Sequence, residues 1–170
     1  MIKIFKSLVP NMACDTIIKE GKSRPQLDAG LGQTNKKSKG RSTKVSFINN
    51  EFTKSFMHEL VITHYKNYVI EEAEDLQFAT YNVGDFYGPH CDADENNKRI
   101  LSISVQLSKP SEYEGGDLCL HGIGGSPSPV TNEQGTVVIF PSNLLHEVEP
   151  VTKGTRYSLV QWFKGYESSN

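Results

Sequence analysis

With 170 residues, 36% of them apolar and 22% charged, the chain is long enough for one domain around a single core and has no compositional bias toward disorder. A formal net charge of −2 gives no overall attraction to nucleic acid or to a membrane surface. The three cysteines, Cys14, Cys91 and Cys119, are odd in number, widely spaced and free of any Cys-x-x-Cys pair, which argues against a disulfide framework and fits a reducing compartment. The first eight residues include Lys3 and Lys6 and run into Pro10, too short and too charged for a signal-peptide core. No run approaches the ~20 apolar residues of a membrane span. These features predict a cytoplasmic protein with no membrane partner.

Taken in order, Ile2, Ile4 and Phe5 predict a short strand, and Asn11 is placed to cap a helix running through Ala13, Ile17 and Ile18. Between Lys19 and Lys44 lie eight of the eighteen Lys and Arg residues, opposed only by Glu20 and Asp28 and centred on Lys36-Lys37-Ser38-Lys39. Such a basic loop is either a solvated segment or a contact for an anionic or peptide substrate. Asn50 and Glu51 open the strongest helical pattern: Phe52, Phe56, Leu60 and His64 fall on one stripe, with Met57, Val61 and Tyr65 on the next. His58-Glu59 begins like a zinc-protease helix, but the position four residues on is Ile62, so His58 and His64 are expected at the helix surface or core edge. Glu71-Glu72-Ala73-Glu74-Asp75 is expected to close the helical region.

Beyond Asp75 the pattern changes to short strands cut by turns. Leu76, Phe78 and Thr80 alternate, and Arg99 to Ser108 is the clearest strand, with Leu101, Ile103, Val105 and Leu107 on one face and Ser102, Ser104 and Gln106 on the other. Asp117 to Leu120, Thr136 to Phe140, Leu145 to Val148 and Arg156 to Phe163 follow as further strands, with Gly122 to Pro129 as turn material. Helices first and about eight short strands afterwards predict a mainly β (α+β) chain, a β-sandwich or jelly roll supported by N-terminal helices. The expected division is a single domain over 1–170, with helical support and the basic loop in 1–75 and the jelly-roll core in 76–163.

Chemistry concentrates in Tyr81 to Asp92. On an extended strand, residues two apart share a face, so His90 and Asp92 would offer an imidazole and a carboxylate side by side, two-thirds of a facial His/His/carboxylate site for non-haem Fe(II). Cys91 would then point to the opposite face and pack. Asp92-x-Asp94-x-Asn96 is not a calcium loop, because its sixth and twelfth positions are Asn97 and Ile103. Gly122-Ile123-Gly124-Gly125 lacks the strand-to-helix setting of a phosphate cradle. Two histidines remain in the strand region: His121, at a strand end before Gly122 and read as a turn residue, and His146, at the start of a short strand. Arg156 shares a face with Ser158, Val160 and Trp162. A cation pointing into a barrel must either pair with a protein carboxylate or receive one from a ligand in two parallel hydrogen bonds.

Together these pieces resemble the Fe(II)- and 2-oxoglutarate-dependent oxygenases, in the prolyl-4-hydroxylase-like branch of bacterial and phage-like members. The match reads Tyr-x-x-Gly-x-x-Tyr-x-x-His-x-Asp over Tyr81 to Asp92, Glu114-Gly115-Gly116-Asp117-Leu118, then His146, Arg156 and Trp162. The resemblance implies a double-stranded β-helix of jelly-roll type. It also implies His90, Asp92 and His146 as iron ligands, and Arg156 and Tyr81 as the residues that hold the distal carboxylate of 2-oxoglutarate. Tyr87 falls near the substrate or is plain barrel packing, and Trp162 is a pocket wall or core residue. The implied reaction uses Fe(II), 2-oxoglutarate and O2, with ascorbate as an accessory, to hydroxylate an unactivated C–H. Asp92, standing where the related halogenases carry a small residue, favours hydroxylation. The substrate implied first is a peptidyl proline in a peptide or protein partner. Oxidative demethylation of nucleic acid and a non-catalytic metal-binding module on the same fold are the alternatives.

Overall fold

A computed structural model describes residues 1–29, 40–122 and 126–168. The first part of the chain forms β1 (Lys3–Phe5), α1 (Asn11–Ser23), β2 (Leu27–Ala29), β3 (Arg41–Ile48), α2 (Glu51–His64) and β4 (Tyr68–Ala73). Then come β5 (Leu76–Tyr81), β6 (Phe86–His90), β7 (Arg99–Gln106), β8 (Tyr113–Gly115) and β9 (Leu118–His121). The last elements are β10 (Pro127–Pro129), β11 (Val137–Pro141), β12 (His146–Val148), β13 (Val151–Gly154) and β14 (Arg156–Glu167).

The strands pair antiparallel in the order β1-β11-β7-β14-β5-β3-β6-β12-β9-β10, with β2 added on β3 and β4 on β14. One strand turns the corner between the two layers. Lys44 to Ile48 of β3 pair with β5, whereas Arg41 and Ser42 pair with β6. The sheet therefore curls over itself into a jelly roll, and β8 and β13 form a separate two-stranded ribbon at one end.

α2 starts where expected. The Asn50 side chain accepts a hydrogen bond from the Thr53 amide at 2.9 Å, which satisfies an otherwise orphaned donor. The buried stripe is Met57, Val61 and Tyr65, while Phe52 of the neighbouring stripe stands 83% exposed. α1 begins one residue earlier than a cap at Asn11 would give, because Pro10 occupies the capping position and Asn11 is the first helical residue. Both helices lie on the outer face of the larger layer: Cys14, Ile17, Met57 and Val61 pack with Leu101, Ile103, Val105, Leu159 and Phe163. A second cluster, including Val45, Ala79, Leu118, Leu120 and Phe140, fills the space between the layers.

The short strand expected at Ile2 to Phe5 is present as β1, but the expectation of only helices and loop from there to residue 75 is corrected by β2, β3 and β4. The acidic run continues a strand, since Glu71 and Glu72 belong to β4, an edge strand whose Glu72 meets Lys164 of β14 at 3.0 Å. Edge strands tolerate a polar outer face, which disguises them in a hydrophobicity pattern. The glycine-rich turn around residue 126 likewise contains β10, paired with β9. Lys36-Lys37-Ser38-Lys39 lies outside the described residues, and so does most of the Gly122 to Gly125 stretch. His58 is half-buried beside Phe163 and His64 is exposed beside Phe5, as expected of helix-surface residues. Among the described residues, no helix is long and apolar enough to cross a membrane.

Candidate active site

β6 and β12 pair so that His90 and His146 stand directly opposite, with ring centroids 4.2 Å apart. β6 ends at His90, so Asp92 does not share its strand. The Ser142 carbonyl instead accepts hydrogen bonds from the Asp92 and Ala93 amides at 2.8 and 2.9 Å and turns the carboxylate back toward the imidazoles. Cys91 is correspondingly not packed; it is exposed, its thiol donating to the Asn143 carbonyl at 3.2 Å. His121 stands at a strand end as expected, as the last residue of β9, but it is not a turn residue: its Nε2 lies 3.0 Å from Glu147 Oε1 on β12.

Each of the two opposed imidazoles has its tautomer fixed by the backbone. His90 Nδ1 lies 2.9 Å from the Gly88 carbonyl, and His146 Nδ1 lies 2.9 Å from the Leu144 carbonyl. A carbonyl can only accept, so both Nδ1 atoms donate and both Nε2 lone pairs are free to ligate. Those Nε2 atoms sit 3.5 and 3.4 Å from the two Asp92 oxygens. The three ligating atoms lie within 4.8 Å of one another, an arrangement of converging lone pairs that calls for a cation between them. Burial alone would raise the Asp92 pKa. Donation from Nε2 of His146 and His90 while no cation lies between them, with a 2.7 Å hydrogen bond from Ser102 Oγ, outweighs it and holds the carboxyl well below the usual range; once the Nε2 lone pairs turn to a cation, the Ser102 bond is the one that remains.

Further into the barrel, Arg156 opens β14 directly opposite Tyr81 of β5 and is 1% exposed. Its guanidinium donates to Gln106 Oε1 at 2.8 Å and to Ser158 Oγ at 3.4 Å, and it stands 5.2 Å from the Tyr81 ring centroid. Nε has no partner, and no described carboxylate forms an ion pair with this side chain. A buried cation without a counter-charge is costly, so the site is built for an anion that arrives from outside. Gly116 makes room for the Arg156 side chain itself. Its φ is +66°, and a Cβ there would lie 2.7 Å from Val151 Cγ2 and 3.2 Å from Arg156 Cδ.

Tyr87 stacks flat on His90, centroids 3.4 Å apart, and Trp162 forms a wall of the same cavity, its indole N–H buried without a partner. Arg99 lies over Trp162 at 4.0 Å and is held by Glu74 through two bonds of 2.7 and 2.6 Å. The cavity enclosed by these groups is small, about 40 Å³. A larger one of about 540 Å³ lies between α1, α2 and the sheet, lined by apolar residues such as Met12, Ile17 and Phe56. Size would favour the second, but only the first gathers ligating atoms and an unpaired cation.

The superfamily model for 2OG-Fe(II) oxygenases matches residues 76–164. The chain belongs to the 2OG-Fe(II) oxygenase superfamily. Across 97% of its length this oxygenase is 33% identical to a PKHD-type hydroxylase of Prochlorococcus marinus strain SARG, covering 75% of that relative. With the PKHD-type hydroxylase of P. marinus strain MIT 9313 it is 38% identical over 97 residues, but these span only 43% of the relative. Its fold is similar to a Pseudomonas putida prolyl-4-hydroxylase, with TM-score 0.78, 21% identity and coverage of 97% of this chain and 92% of the other. It is also similar to a prolyl hydroxylase of Trichoplax adhaerens in complex with a hypoxia inducible factor peptide fragment, with TM-score 0.84, 17% identity and coverage of 96% and 83%.

The iron(II) and 2-oxoglutarate of the superfamily fit the residues present: a His90-Asp92-His146 donor set for the metal and a buried, unneutralised guanidinium for a dicarboxylate. Four contributors escape a motif-based reading, namely Ser102, Gln106, Ser142 and Arg99. The signal for two of them was present, because Ser102 and Gln106 lie on the polar face of β7. That face points into the barrel and meets Asp92 and Arg156.

Proposed function

We propose that this oxygenase hydroxylates a peptidyl proline, with His90, Asp92 and His146 as the metal ligands and Arg156 with Tyr81 as the co-substrate clamp. The observation that carries the assignment of roles is the Arg156 guanidinium, buried in the same cavity as the triad with no described carboxylate to neutralise it. Its planar fork suits the distal carboxylate of 2-oxoglutarate, and Gln106 and Ser158 orient it from behind. Bound Fe(II), with 2-oxoglutarate and dioxygen, supplies the oxidising power that places one oxygen atom on a C–H carbon. Ser102 holds Asp92 ionised and aimed; the Gly88 and Leu144 carbonyls hold the two imidazoles by Nδ1. Leu118, Phe140 and Val148 line the cavity with apolar surface and keep water from the reacting groups.

The peptide part of the reading is supported by the fold likeness to prolyl hydroxylases, one of them in complex with a peptide, and by the aromatic walls Tyr87 and Trp162, flat apolar surfaces against which a pyrrolidine ring packs. The test is a succinate-release screen with proline-containing peptides, free amino acids and methylated oligonucleotides, followed by mass analysis. A gain of one oxygen atom on proline peptides is expected; turnover confined to another class would replace the reading. Under nitrogen, Fe(II) and 2-oxoglutarate should give a visible charge-transfer band that His146→Ala abolishes. An unchanged band in that variant would overturn the ligand assignment.

A further inference from the structure

We infer that Arg41 is a recognition site for an anionic group on the primary substrate, a carboxylate side chain flanking the residue that is oxidised. The inference builds on the peptide reading above and names a feature of that peptide. Among the described residues, three charged side chains line the site cavity: Asp92, Arg156 and Arg41. Iron(II) and Arg156 together would balance the Asp92 carboxylate and the 2-oxoglutarate dianion. The charge left over belongs to Arg41.

Its position is fixed. Arg41 opens β3 at the rung where that strand pairs with β6, opposite Tyr87, and the Gly88 amide donates to the Gly40 carbonyl at 2.7 Å. The guanidinium lies over the Tyr87 ring, Cζ 4.3 Å from the centroid, and Tyr87 in turn lies on His90. A cation is thereby held one ring, that of Tyr87, from the proposed metal ligand His90, in the lining of the same cavity as Arg156. Arg41 Nε is buried with no hydrogen-bond partner, and no described carboxylate forms an ion pair with the side chain. Asp85, hydrogen-bonded to the adjacent Ser42, is already engaged: Ser42 donates to one oxygen at 2.6 Å and the Asn82 amide to the other at 2.8 Å. Tyr87 stabilises the cation through its ring face and hydroxyl, but it brings no counter-charge and leaves Nε unsatisfied. An incoming carboxylate would do so, and in a partly desolvated position that bond is strong. This gives part of the basic stretch before Lys44 a role in the site.

The experiment uses paired peptides that differ by Asp against Asn beside the central residue, half of the pairs with proline there and half without. Binding to the Fe(II)- and 2-oxoglutarate-loaded protein is read under nitrogen by fluorescence polarisation, without turnover. Wild type should prefer the Asp member roughly tenfold, the size of one charge-assisted hydrogen bond. Arg41→Gln should remove the preference, Arg41→Lys should keep part of it, and Arg41→Glu should transfer it to Lys-flanked peptides. Equal affinity for both members in wild type, or a preference that survives Arg41→Gln, overturns the inference. So does an Arg41→Gln effect that falls on the 2-oxoglutarate titration of the charge-transfer band instead of on the peptides. If the Asp preference holds on peptides without proline, and no proline peptide is hydroxylated, the prolyl reading fails and the anion site stands.

Discussion

The two faces of β7 and β14 divide the labour of the molecule between them. On the outer face, Leu101, Ile103, Val105, Leu159 and Phe163 are packed under α1 and α2, with exposures of 0 or 1%. On the inner face, the same strands present Ser102, Ser104, Gln106, Arg156, Ser158 and Trp162, most of them equally buried and nearly all polar. Burial is similar, but its consequences are opposite. The outer face stabilises the fold by removing apolar area from water, whereas the inner face spends stability to keep a cation and a carboxylate dry. One strand with a two-residue period can do both without compromise between them.

The comparison breaks most visibly on the outer face. Leu159→Ala should destabilise the protein by about 2–5 kcal/mol, the usual cost of a large-to-small change in a packed core. Calorimetry should show the loss, and the folded fraction should keep its charge-transfer band. A band lost ahead of the fold would show that the two faces are not separable. Next in size is Arg156→Met, a replacement of similar length that removes the buried charge. The 2-oxoglutarate concentration needed to form the band should rise by roughly 10- to 100-fold, as expected for loss of charged hydrogen bonds. At the same time the ligand-free melting temperature should stay level or increase, because an unpaired buried cation opposes folding. A fall in both would make Arg156 a structural residue. The smallest effect belongs to Ser102→Ala. It should weaken Fe(II) binding by about tenfold, the low end for a residue that supports a metal ligand, and leave the 2-oxoglutarate requirement of the loaded protein nearly unchanged.

Much of this division could be read from the chain itself. The alternation in Arg99 to Ser108 separates the two faces correctly, and the spacing of His90, Asp92, His146 and Arg156 brings out residues that do meet in one cavity. What escaped detection depends on partners distant in sequence. β3 resembles a basic loop because its ends serve two layers, and its role as the corner strand exists only once β5 and β6 flank it. β4 is acidic because it is an edge. The return of Asp92 to the imidazoles depends on the Ser142 carbonyl, fifty residues away and without a side-chain signature. The glycines of Glu114-Gly115-Gly116-Asp117 are legible as a motif, but their cause, clearance beside Val151 and Arg156, is steric and three-dimensional.

The two carbonyls that hold the imidazoles have a consequence in entropic terms. Each belongs to the residue two positions before its histidine, Gly88 or Leu144, so each ring is tethered to its own strand or turn and not to a mobile side chain. The rotamer freedom of both ligands is therefore lost during folding, when β6 and β12 pair, and not again when a metal arrives. Metal affinity is increased by that prior ordering, and an ion can leave and return without disturbing the sheet.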